Sequence, residues 1–378
     1  MTLQPTQSTF DPAIPSFSGF DDLGGIDDAR DVRGRTTSAL EKLLEVCEGV
    51  IKQGEREKWS EFFVASGFDR HGVGDRIYNS IYRRLKDVNL KHVFFTGDDL
   101  IYFISAKANN DYGEPGSFAL GLFTGCLLHL LTIRNRAQGR RTRFYINGQG
   151  NKFDYLFCGA REVDELIVDN FNGSHLCTHV GSFNGHVDYV VIMNSSGERL
   201  GSNIGSDHGE INNVIFINTN GESTALCIGS PFDSNKTKIR KNQIGNVIIV
   251  NNYGEDVAWS VGFGSYVNNV IIINADGLSG GQGIGSHLGF KGKVIRLLIY
   301  PQYNLRKEDY GTPMPEAKHI YLHDNALTEY SRLTSGHTID ELIEVANKMN
   351  GGYEEQYLNM LYWMIPPTLK RVSGCKHK

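Results

Sequence analysis

Three groups of side chains in this sequence are of kinds that do chemistry. His175, Cys177 and His179 alternate along the chain, and imidazole and thiolate two residues apart can share a Zn²⁺. Three ligands in one line reach a single tetrahedral ion poorly. With Cys227 two coils away and no further ligand cluster visible, a polar patch is the competing reading, and no metal or other cofactor is expected. Ser206-Asp207-His208-Gly209-Glu210 puts two carboxylates and an imidazole within five residues, with His186, Asp188, Asp233 and His287 as potential partners. Cleaving a glycosidic bond needs an acid and a base flanking it, which Asp207, His208 and Glu210 could supply. Solvent-facing corners carry the same residue types without catalysing anything. Lys236, Lys238, Arg240 and Lys241 crowd the stretch 231–243, and Arg134, Arg136, Arg140, Arg141 and Arg143 form a second basic run. Such clusters can hold a polyanion. No aromatic stacking platform accompanies them, so solvated loop charge is the simpler alternative.

Something regular must position these residues, and the sequence is regular. An Asn ends each apolar run, at Asn147, Asn170, Asn194, Asn218, Asn251 and Asn274, in steps of 23, 24, 24, 33 and 23 residues. A Gly stands three places after each. An apolar-Gly-Ser close follows, as in Val180-Gly181-Ser182, Ile204-Gly205-Ser206, Ile228-Gly229-Ser230 and Ile284-Gly285-Ser286. A period near 24 marks a solenoid. Leucine-rich repeats share that length but need Leu at fixed offsets and a helical return. Here the runs are β-branched (VIFIN, VIIVN, VIIIN) and the returns rich in Gly and Ser. Over roughly 141–304 the chain therefore resembles a parallel β-helix of about six coils, a resemblance of architecture rather than of family.

Stacked coils would bring the six Asn into an inward-facing amide ladder, with the following Gly supplying each φ > 0 corner. Alternation in the return segments assigns Leu176, Thr178 and Val180 to the interior, with their counterparts Leu200, Ser202, Ile204, Thr224, Leu226, Ile228, Val257, Trp259 and Val261. It leaves Gly201, Ala225, Ala258, Gly281 and Gly283 as a small-residue strip outside. In the runs before Asn, Ile192, Phe216, Ile249 and Ile272 share the ladder's inward side. Ile146, Ile167, Val191, Met193, Ile215, Ile217, Ile248, Val250, Ile271 and Ile273 must then form an outward ribbon. That is more apolar surface than a soluble monomer leaves bare. Covering it contributes on the order of 15 kcal/mol, so the chain's own helices or another subunit must lie over it.

Helical spacing of apolar residues over 38–51, 75–86, 338–349 and 353–364 supplies candidates. The segment 35–140 reads as a mainly helical N-terminal cap before the β-helix (141–304). Residues 305–378 read as a helical segment with a loose basic tail, and 1–34 as a disordered acidic segment. The apolar run 118–133 contains a His and falls short of the ~20 residues of a membrane span. It is expected as a buried helix in which Gly121 and Gly125 permit close packing.

The 378 residues carry a net charge of −5 and 40% hydrophobic residues, a balance with no bias toward nucleic acid or membrane. The first residues lack the basic start and apolar core of a secretory signal. Six Cys without a CxxC motif suggest free thiols in a reducing cytoplasm. The expectation is a non-catalytic cytoplasmic β-solenoid, a scaffold or binding and assembly module. It would be oligomeric with itself or bound to another protein, with an acidic partner or polyanion at the 231–243 loop. A polysaccharide-active hydrolase or lyase is the alternative. A scaffold for metal or cluster assembly, implied by β-helix proteins with helices at both ends, comes third.

Overall fold

In β4 (Glu210–Thr219), β5 (Gln243–Tyr253) and β6 (Tyr266–Asp276) nearly every residue is buried. Such continuous apolar runs belong to parallel strands covered on both faces. They form one sheet with β1 (Arg143–Asn147), β2 (Glu162–Asp169), β3 (His186–Met193), β7 (Lys293–Tyr300) and β8 (Ala317–Leu322), in sequence order with every pair parallel. The arrangement is a β-solenoid of about six turns. This computed structural model describes residues 38–61, 73–230, 243–276, 293–300, 317–322, 324–350 and 354–367. The elements below lie in the unit Ala39–Lys378. The acidic N-terminal segment, the basic residues Lys236, Lys238, Arg240 and Lys241 with Asp233, the close at 284–286, His287 and the C-terminal tail lie outside the described residues.

Helices occupy both ends of the sequence. Before the sheet come α1 (Ala39–Glu57), α2 (Val73–Arg84), a π-helical turn (Leu85–Asn89), α3 (Gly97–Lys107) and α4 (Gly113–Ala137). By length and composition α4 could cross a membrane, but Phe118–Thr132 are all buried inside the protein. Gly121 and Gly125 do permit close packing, against the first coil. A Cβ there would come within 2.3 Å of the Tyr155 carbonyl oxygen and 2.1 Å of that of Cys158.

After the sheet come α5 (Asp324–Leu333), α6 (Ile339–Met349) and α7 (Glu355–Trp363). They cover the ribbon. Ile167, Val191, Met193, Ile215, Ile217, Ile248, Val250, Ile271 and Ile273 form one buried cluster with Tyr330, Leu342, Val345, Ala346, Met349, Leu358 and Leu361. Ile146 is the exception and faces the main core. Its strand is offset by one residue, with Asn147 beside Asp169 and Ile146 beside Val168. A one-residue offset exchanges the faces.

The return segments are not strands. His175, Cys177, His179 and Gly181 have φ of 62, 55, 61 and 70°. Their amides bond alternately to the next coil and the previous one: His175 to Glu198 O, Cys177 to Leu156 O, His179 to Ser202 O and Gly181 to Ala160 O. The residues between them close local turns, such as Thr178 N to His175 O at 3.2 Å. Left-handed backbone at non-Gly residues costs roughly 1–2 kcal/mol each, offset here by the bonds that stack the coils. Leu176, Thr178 and Val180 lie inside as expected. Gly281 and Gly283 of the small-residue strip lie outside the described residues, and its other members do not face outward: Ala225 and Ala258 are in the core, and Gly201 backs onto the Phe216 ring. Alternation assigns faces only in extended backbone.

Candidate functional site

Asn194, Asn218, Asn251 and Asn274 each follow an outward apolar residue and are themselves left-handed, with φ of 51° at Asn194 and Asn218, 53° at Asn251 and 49° at Asn274, whereas Asn147 follows the inward Ile146 and is not left-handed. The left-handed conformation breaks the alternation and turns the amides outward, opposite to the expected direction. Asn supplies the corner's positive φ, being one of the few non-Gly residues that tolerates it. The Gly three places on has the expected positive φ at Gly150 (77°) and Gly197 (138°) but not at Gly173, Gly221 or Gly254, and it serves close approach. A Cβ at Gly173, Gly197, Gly221 or Gly254 would sit 2.3, 2.2, 1.9 or 2.1 Å from a carbonyl oxygen of the preceding coil.

Asn274 donates to Asn251 (3.2 Å), Asn251 to Asn218 (2.9 Å), Asn218 to Asn194 (3.2 Å) and Asn194 to Asp169 (2.8 Å), which also accepts from Asn147 (3.0 Å). Asn170 is exposed, and Asp169 takes its place. The second N–H of these amides reaches the cover. Asn194 donates to Met349 O (2.9 Å), Asn218 to Ala346 O (2.7 Å) and Asn251 to Asn347 Oδ1 (3.0 Å). The last carbonyls of a helix have no partner within it, and the ladder supplies one. A capping box of Thr338 and Glu341 fixes the other end of α6.

A second ladder borders the far side of the ribbon. Asn269 donates to Asn246 (2.7 Å), and Asn246 to Asn213 (2.8 Å) and to Pro366 O (2.8 Å). Its signal was present in the sequence, as an Asn five places before Asn218, Asn251 and Asn274. Replacing Asn218 by Leu leaves Ala346 O and two ladder amides short of partners, at a cost of about 3 kcal/mol. Asn218→Gly, which keeps the backbone conformation, should lose most of the same amount. A chemical-denaturation midpoint unchanged in the Gly variant would remove the ladder from the account.

Charged residues complete the attachment. Arg143 bridges Glu165 (2.8 Å) and Glu355 of α7 (2.7 Å), and the Tyr362 hydroxyl donates to Glu165 (2.8 Å). Burial, reinforced by Glu165, pushes the Tyr362 phenol up. Arg136 binds Glu162 and Asp164, Arg141 binds Asp188, and Arg134 donates to Leu90 O and Val93 O. Arg140 donates to Asn135 Oδ1 (3.3 Å) and to Gln138 Oε1, so every arginine of the basic run has a partner within the chain.

Glu210 begins β4 beside His186, 3.9 Å away, whereas Asp207 and His208 lie in the left-handed turn before it. His186 contacts Asp188 at 3.2 Å, and that contact raises the imidazole and lowers the carboxyl. Among the metal candidates, His175 stacks on the Tyr155 ring at 4.6 Å. Burial, with Arg199 nearby, pushes its pKa down to about 4. Burial likewise lowers His179 and raises the Cys177 thiol, which belongs to the core. A metal needs the thiolate, and among the described residues no three His, Cys, Asp or Glu side chains are grouped to hold an ion.

One polar groove of about 540 Å³ opens beside the first coils, lined by Asp111, Glu114, Lys152, Asp154, Asn172 and His175 among others. Asp154 is held by Ser174 N (2.9 Å) and Lys152 (3.1 Å), and Glu114 accepts from the Tyr155 hydroxyl (3.3 Å). Sequence reasoning missed it because its residues come from the start of α4 and three successive coils.

In comparisons with protein-family models, curated proteins and solved structures, the chain matches none of them.

Proposed function

We propose that this chain is a non-catalytic scaffold, an intracellular module for binding and assembly. The observation that carries the reading is the engagement of the outer face's ionisable residues. Arg136, Arg141, Arg143, Glu162, Asp164, Glu165 and Asp188 hold coil to coil or sheet to helix. Catalysis instead needs an acid and a base facing one substrate bond. The five described cysteines are free, and burial pushes Cys47 up to about 12, which suits a reducing compartment. The covered ribbon does not ask for a second subunit, so assembly must use another surface.

The polysaccharide-active reading keeps one observation in its favour, the groove that places Glu114 and Asp154 together. Incubation with polygalacturonate and neutral glucans separates the two. The scaffold releases no reducing ends. Release that disappears in Glu114→Gln or Asp207→Ala would establish the enzyme.

A further inference from the structure

The two ends of the solenoid differ. At the first, Phe144 and Ile146 of β1 are 2% exposed, and α4 lies against the first coil. At the last, β8 pairs with β7 in the register Val294↔Ala317, Leu297↔Ile320 and Ile299↔Leu322. Its other edge makes no hydrogen bond among the described residues. The inward column Val247, Val270 and Leu297 is fully buried, but its next member, Ile320, is 45% exposed. An open strand edge beside an open core is the feature that solenoids and sheets ordinarily close.

Resting on the assembly reading above, we propose that β8 joins two copies of this chain, pairing antiparallel with β8 of a second copy about a two-fold axis normal to the sheet. Such an axis keeps both inward faces on the same side, so Ile320 of one core meets Ile320 of the other. With Ile320 on the axis, His319 lies opposite Tyr321 and Lys318 opposite Leu322, so no like charges face each other. A lone peptide strand would satisfy the edge amides yet leave the inward column open beyond it. A second solenoid end continues both the hydrogen bonds and the core. Because the contact is isologous, it stops at two copies instead of growing into a filament.

Sedimentation of the wild type over a wide concentration range should reach twice the 42.1 kDa chain mass. Ile320→Glu should weaken the dimer at least ~tenfold and keep its melting temperature. If that variant folds poorly, Ile320→Cys in a Cys375→Ser background decides, by forming a covalent dimer on oxidation. A wild-type dimer that persists in Ile320→Glu, or that gives no crosslink, overturns this surface while leaving assembly standing. A wild type that stays monomeric throughout overturns both.

Discussion

Ile215→Asp is expected to unfold this protein, or at the least to detach α6 and α7 from the sheet. Ile215 is fully buried between Val191 and Ile248 on neighbouring strands and beneath the C-terminal helices. Losing the aliphatic side chain costs ~2–3 kcal/mol. Burying a carboxylate with no cation provided costs several more, whether the group stays charged or takes up a proton. Set against a total stability of roughly 5–15 kcal/mol, that sum is most of what is available. Ile271→Asp, two strands further along the same column, should act alike. Urea titration read by circular dichroism checks both, and a midpoint within error of wild type would mean that the ribbon faces solvent.

Gly221→Ala is the second large effect, and a purely steric one. Gly221 is not left-handed, so alanine could adopt its backbone, but the added Cβ would lie 1.9 Å from the Gly197 carbonyl oxygen. Backbone atoms stacked coil on coil cannot step aside singly, and overpacking of this kind costs about 3 kcal/mol. Gly49→Ala in α1 is the control, since nothing lies within 4 Å of its new methyl. It should stabilise by up to ~1 kcal/mol. Equal melting temperatures for the two variants would contradict the close stacking of coils at the glycine column.

Much of this architecture is legible in the sequence, for identifiable reasons. The β-branched runs and the recurring Asn locate the strands because every coil must repeat the same packing. The outward parity of Ile215, Ile217 and their counterparts, and the need for a cover, follow from alternation within extended backbone. Alternation fails where the backbone leaves that region. Asn218 turns outward and Ala225 inward because both are left-handed, with φ of 51 and 60°, and residue type alone does not announce that. The offset at β1, which sets Asn147 beside Asp169 instead of Asn170, leaves no mark in the spacing of the six Asn. The bridge from Arg143 to Glu355 joins residues 212 apart in the sequence, a pairing that no local pattern encodes. The second ladder was there to be read in the Asn-Val-Ile starts of β4 and its neighbours.

The central claim is that the C-terminal helices are an integral cover, docked on two amide ladders over the aliphatic ribbon. Hydrogen–deuterium exchange of the intact chain tests it most directly. The account predicts that the inner amides of Ile339–Met349 exchange as slowly as those of β4 to β6, opening only with the whole sheet. Rapid exchange along that helix while the strands stay protected would contradict it.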